Sequence, residues 1–356
     1  MEAEKHKNQK PIEIGGTIVK PGTIRTVTVP LSMLPNHAAF DLDMRVIHGM
    51  RPGKRLFICS TIHGDELNGI EIIRRVLAAS LTKHIHGTLI AIPIVNLFGT
   101  LLHSRYLPDR RDLNRSFPGS QQGSSAAQLA NVFLTEIVAK CTHGIDLHTG
   151  SNNRLNLPQV RCEFDNPETL MLALSFGAPV ILKSKMREGS LREASEKLGI
   201  PTLTFEGGEA LRFNEFAIRA GVAGILRVMS ALEMIPAGKC AAAKGTPVIS
   251  PSSRWLRSPI TGVLRSACWL GDKVLKGDVI AKISDPLGVH TTDVVASFDG
   301  IVIGRTQSPL VYKGDALFNI AWVSDPTRAQ ATIEEFEEEE FEEEDQLNLF
   351  SETPLP

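Results

Sequence analysis

No stretch of the chain approaches the ~18 consecutive apolar residues that a membrane-spanning helix requires, so a helical membrane protein is not expected. The first residues, 1–11, are polar and charged, without the apolar core of a secretory signal. Cysteine is sparse. Cys59, Cys141, Cys162, Cys240 and Cys268 are scattered, odd in number and free of any CxxC pair. They encode neither a disulfide framework nor a zinc knuckle, and are expected to be reduced, mostly buried thiols of a cytoplasmic protein. Nucleic-acid-binding motifs are also absent. Basic residues are missing from one end: residues 331–356 hold 11 Asp/Glu and no Lys/Arg, leaving 38 basic against 29 acidic side chains before them. The net charge of −2 hides that asymmetry. A basic body suits anionic ligands, although most of these charges are expected to form an ordinary solvated surface.

At 356 residues the length fits two domains. From Arg55 to Ala231 strand-like and helix-like segments alternate. Leu56–Ser60, Thr88–Val95, Gly144–Leu147 and Thr202–Phe205 are short apolar runs expected as buried strands. Helical spacing follows in 65–79, 124–141, 191–198 (with Ser190 and Glu193 as a capping box) and 215–234. The pattern predicts a mixed α/β sheet with helices on both faces. After Gly238, short apolar runs separated by Pro, Gly and Asp predict a smaller all-β domain. Its two weak internal copies resemble the halves of a lipoyl-type barrel sandwich, but no lysine sits in a carrier context, so a scaffold is expected. The expected domains are 1–240 (catalytic), 241–327 (β) and 328–356, an acidic tail expected to be disordered and to solubilise, or to dock on a partner or on the chain's own basic body through its apolar residues.

Four polar residues, His63, Asn96, His148 and Glu206, fall just past the carboxyl ends of predicted strands, the edge where open α/β sheets bind ligands. His63 and Glu66 are three apart, and His148 follows 82 residues after Glu66. Two imidazoles and a carboxylate are the protein ligands of a catalytic zinc, which keeps a fourth position open. Asp146, two residues before His148, is a candidate orienting acceptor. Glu206, between Phe205 and a Gly-Gly pair with room for a bulky ligand, suits a general base, with Glu209 as its rival. The loop from Arg105 to Arg115 carries four arginines in eleven residues, suited to carboxylates and oxyanions.

HGDE (63–66), DLNRSFPG (112–119), DLHTG (146–150) and FEGGE (205–209), in that order, resemble the succinylglutamate desuccinylase/aspartoacylase family, a branch of the zinc-carboxypeptidase fold. The resemblance spans roughly Gly15 to Ile320. It implies one Zn²⁺ per chain held by His63, Glu66 and His148, and Glu206 as the general base. It implies a substrate carboxylate held by Asn114 and Arg115. Arg105 would polarise the scissile carbonyl, with Arg110 as the fallback, since the spacing is two residues longer than in aspartoacylase. Arg192 resembles a second carboxylate-binding arginine, and Tyr312 a substrate-contacting tyrosine from the β domain. A buried core tyrosine explains Tyr312 equally well.

The expected activity is zinc-dependent hydrolysis of the amide of an N-acyl amino acid or a similar small carboxylate-bearing amide. The alternatives are a metallocarboxypeptidase trimming short, acidic peptides, and a non-catalytic binding protein acting through its tail. The expected partner is a small molecule, with neither nucleic acid nor membrane; a homo-oligomer is left open.

Overall fold

The structure is a computed structural model that describes residues 9–33, 39–238, 240, 243 and 245–342. Its frame is one 13-stranded mixed sheet. The four strands expected from the sequence lie together at its centre, all parallel: Thr202–Glu209, His143–Gly150, Arg51–Ser60 and His86–Ile92, in that order. Alternate side chains of the strand Arg51–Ser60 feed two cores, as a period of two requires. Leu56 and Ile58 join Ile72, Val76, Leu172, Phe176 and Ile225 from the helices Asn68–Ala78, Pro167–Phe176 and Glu215–Ala231. Phe57 and Cys59 join Leu129, Phe133 and Leu191 from the helices Ser125–Glu136 and Leu191–Lys197. Helices therefore cover both faces, as expected. Among the described residues, no helix is long and apolar enough to cross a membrane. All five cysteines are free.

The C-terminal β part, expected as a smaller all-β domain, is all-β up to Trp322 and several of its strands join the main sheet. Gly300–Thr306 pairs antiparallel with Arg154–Cys162, itself the antiparallel neighbour of Thr202–Glu209. Ala316–Trp322 and Ser253–Arg257 extend the sheet outward. A second sheet of four strands packs over this extension, enclosing Leu264, Ile283, Val294, Val302, Phe318 and Ile320. Pairing gives the edge of the catalytic sheet a hydrogen-bonded cover, which a loosely tethered domain would not.

The acidic segment differs from the expected disordered tail. Pro326–Glu342 is helical, with Ala329, Ile333 and Phe336 buried. These residues recur at i, i+4 and i+7, one face of a helix. Phe336 meets Phe216 edge-on, with ring centroids 5.8 Å apart. Glu334, Glu335 and Glu338 thus occupy the exposed side of an amphipathic helix. The remaining tail residues, 343–356, lie outside the described residues.

Candidate active site

The strands His143–Gly150 and Thr202–Glu209 run three and four residues further than the apolar runs suggest, so His148 and Glu206 lie within strands and face each other as register partners. His63 and Glu66 sit in the turn between the strand Arg51–Ser60 and the helix Asn68–Ala78, where the Glu66 amide donates to the His63 carbonyl at 3.1 Å. Gly64 is required there: a Cβ would lie 1.9 Å from the Gly99 carbonyl carbon.

His63, Glu66 and His148 place their ligand atoms within 4.8 Å of one another, all buried. His63 Nδ1 is 2.8 Å from Glu66 Oε1 and His148 Nδ1 is 2.8 Å from Glu66 Oε2. Each imidazole meets another carboxylate at its far nitrogen: Asp112 at 3.2 Å from His63 Nε2, and Asp146 at 2.7 Å from His148 Nε2. Carboxylates on the outer nitrogens are the usual means of orienting metal-binding imidazoles. Arg105 grips Asp112 through Nε and Nη2 and donates to Ser151 at 2.8 Å. Burial opposes charge on His148, yet Asp146 and Glu66 hold its pKa well above the ordinary value. Burial likewise opposes ionisation of Glu66, and His63 with His148 outweighs it. Metal binding requires neutral imidazoles. Glu66, Asp112 and Asp146 would then face Arg105 alone among these groups, a surplus of two negative charges that a divalent cation cancels. The donor set therefore fits zinc: nitrogen and oxygen ligands, buried, with oriented imidazoles.

The cluster opens into a cleft of about 260 Å³. Arg105, Asn114, Arg115, Arg192 and Glu206 line it together with the three metal-ligand candidates. Asn114 Oδ1 accepts from the Leu191 amide at 2.9 Å, tying the Asn-Arg loop to the start of the helix that carries Arg192. Two expected site residues do not reach the cleft. Tyr312 is 71% exposed in a tight turn where its amide donates to Asp315 at 2.8 Å, so it is neither a cleft residue nor a core residue. Arg110 is exposed in a left-handed conformation, outside the cleft lining. The rival base Glu209 faces Arg212, at 3.4 Å, and also lies outside it. The C-terminal β part contributes Trp255 instead of Tyr312, and the Arg154 guanidinium lies 5.0 Å from its ring centroid.

Glu206 is held at both oxygens, by Asn156 Nδ2 at 2.9 Å and by Arg161 Nη1 at 3.1 Å. The Gly-Gly pair after it has another purpose than the room expected beside a ligand. It forms a bulge against His143–Gly150 in which Gly208 takes φ +79°, and a Cβ there would collide with Asn68 at 2.2 Å. Against Arg154–Cys162 the extra residue falls on that strand, between Gln159 and Asn156, and brings Asn156 opposite Gly208. Sequence reasoning missed Asn156, Arg161, Arg154 and Arg187 in the cleft. Polar residues alternating through Arg154–Cys162, an otherwise buried strand, were the available signal.

A family model, the succinylglutamate desuccinylase/aspartoacylase catalytic domain, matches residues 52–232. The N-alpha-acetyl-L-2,4-diaminobutyric acid deacetylase of Halomonas elongata is 28% identical over 290 residues, covering 73% of this chain and 80% of that protein. The product-bound ectoine utilization protein EutE (DoeB) of Ruegeria pomeroyi is similar in fold, with a TM-score of 0.78 at 20% identity over 90% of this chain and 100% of that one. A succinylglutamate desuccinylase/aspartoacylase from Rhodobacter sphaeroides aligns with a TM-score of 0.73 at 24% identity, covering 84% and 95%. With half of its length matched by the family model, and with the fold shared by these structures, the chain belongs to the succinylglutamate desuccinylase/aspartoacylase family.

Proposed function

We propose that the protein is a zinc-dependent hydrolase that removes the acyl group from an N-acyl amino acid or a similar small, anionic amide. The observation that carries this is the convergence of the His63–Glu66–His148 cluster and Glu206 on one arginine-lined cleft. Zinc held by His63, Glu66 and His148 would supply Lewis acidity toward water and toward a carbonyl oxygen. Glu206 takes the proton of the attacking water and passes it to the departing amine nitrogen. The carbon–oxygen bond forms first and the amide C–N bond then breaks, and with both protons of the water ending on nitrogen the products are a carboxylate and an ammonium group. Arg105, fixed by Asp112 and Ser151, places positive charge where the carbonyl oxygen gains negative charge. Arg115, Asn114 and Arg192 hold the substrate carboxylate.

A deacylase is favoured over a carboxypeptidase because the C-terminal β part sets Trp255 against Arg154 at the cleft, narrowing the space a longer peptide needs. The Halomonas relative is named for an N-acetyl amino acid substrate, which agrees with this reading. The deciding experiment is metal analysis of the purified protein followed by a panel of N-acetyl and N-succinyl amino acids and short acidic peptides. Release of free amine from the N-acyl amino acids is expected. Turnover confined to the peptides would make it a carboxypeptidase, and no turnover of either would remove the hydrolase reading.

A further inference from the structure

The carboxylate assigned as the base is not free in the structure: Arg161 Nη1 is 3.1 Å from Glu206 Oε1. The geometry follows from the sheet. Gln159 is the register partner of Glu206 across an antiparallel pair, and Arg161, two residues on, reaches the same face as the diagonal neighbour. Arg161 Nε also approaches Gln159 Oε1 at 3.4 Å. Arg187 and Arg192 line the same cleft. Burial and then the charges of Arg115 and Arg161 depress the pKa of Arg187, and burial and then Arg161 depress that of Arg192. Arg192 is 9% exposed. Its Nη2 donates to the Ser184 carbonyl and hydroxyl and to the Lys185 carbonyl, while its buried Nη1 has no hydrogen-bond partner. The nearby Glu163 is engaged by Lys183 at 3.3 Å. Three guanidinium groups therefore share the cleft with Glu206, which pairs directly with Arg161, and a buried donor of Arg192 is left without an acceptor. A buried unpaired donor costs free energy that an arriving anion recovers.

We propose that Arg161 is a positioning residue shared between Glu206 and an incoming carboxylate: an anion entering the Arg161–Arg187–Arg192 corner draws the Arg161 guanidinium off Glu206 Oε1 and leaves that oxygen open to a proton. The base is thereby released when the correct anionic substrate arrives. An amide without the carboxylate would leave Glu206 in its ion pair. This rests on the assignment of Glu206 as the base, but the competition for Arg161 is a binding property and is measurable without turnover.

The test is a double-mutant cycle for succinate binding, measured by calorimetry on the zinc-loaded protein with Glu206→Gln, Arg161→Gln and the pair. Removing the Glu206 charge should tighten succinate about tenfold while Arg161 is present, the low end of what a hydrogen bond to a charged group contributes. In the Arg161→Gln background the same change should have clearly less effect. Equal tightening in both backgrounds would mean that Glu206 acts on the anion only as a distant charge, and would overturn the proposal, as would undetectable succinate binding by both the wild type and Glu206→Gln. Should Arg161→Gln melt early, Arg161→Met keeps the apolar stem and replaces it. Turnover provides a second readout. With Arg161→Gln, kcat on a neutral carboxamide analogue should rise while KM for the matching acid increases. A fall in both kcat values would mark a merely structural residue. If the wild type hydrolyses neither compound, the hydrolase reading fails and the binding cycle still decides the role of Arg161.

Discussion

Glu206 and His148 are register partners across the parallel strands Thr202–Glu209 and His143–Gly150, so the candidate base and a candidate metal ligand are held by one hydrogen-bonded ladder. A rigid ladder fixes their separation better than two loops would. Glu206→Gln keeps the shape and removes the proton acceptor. It should lower kcat by roughly 10²- to 10⁴-fold, the usual contribution of general acid–base catalysis. Zinc content, measured by elemental analysis, should stay the same. Wild-type turnover in this variant would remove Glu206 from the mechanism.

Asp146 is the 2.7 Å partner of His148 Nε2. Asp146→Asn should weaken zinc about 10- to 100-fold, as loss of an orienting carboxylate does elsewhere. Competition with a chromophoric chelator measures this, and an unchanged dissociation constant would show that His148 is oriented by other means. Stripping the metal should also lower the melting temperature, since a ligand of the native state stabilises it.

Gly304 lies on a C-terminal strand, yet a Cβ there would stand 2.8 Å from Asn156 Oδ1, and Asn156 holds Glu206. Gly304→Ala should therefore push Asn156 off its position and reduce kcat by about 10- to 100-fold, in line with the cost of small misplacements. Asn156→Ala should reproduce most of the loss. Full activity in Gly304→Ala would mean that Asn156 does not set the position of the base.

Ile333 is 1% exposed within the acidic helix. Ile333→Ala should destabilise the fold by roughly 2–5 kcal/mol in urea denaturation, the range for deleting such a buried side chain. A loss near zero would show that the helix does not dock. Any truncation meant to test the tail alone must begin after Glu342, since an earlier cut shortens the helix that carries Ile333 and Phe336.

Burial raises the pKa of Glu337, helped by Glu334 and Asp272. A carboxyl whose folded pKa is raised binds its proton more tightly when folded, so stability falls as pH rises from the unfolded value of 4.5 through the raised one. At neutral pH the ionised form destabilises the helix. Glu337→Gln should raise the melting temperature at pH 7, and the gain should shrink toward pH 4. A pH-independent difference would mean that packing, not charge, accounts for the change.

The central sheet was legible because its strands are short apolar runs, two of which, Arg51–Ser60 and Thr202–Glu209, are closely followed by a helix with its own period. The candidate metal ligands were legible because His63, Glu66 and His148 follow such apolar runs closely. Arg161 and Asn156 were not, because their role depends on which strand lies beside Thr202–Glu209 and on a bulge that shifts the register. Tyr312 was misplaced for a related reason: proximity to a motif-like turn says nothing of where that turn lies relative to the cleft. The acidic run masked a helix because charge density outweighed the spacing of Ala329, Ile333 and Phe336.

By itself the sequence determined the α/β frame, the candidate metal-ligand set and the candidate base, since each is written in local periodicity and in spacing from the end of an apolar run. Only the tertiary structure decided which arginines line the cleft, that Trp255 reaches it from the C-terminal strands, and that Glu206 is held between Asn156 and Arg161. Those arrangements arise from strand order and register, which join residues far apart in the chain and leave no local trace in it.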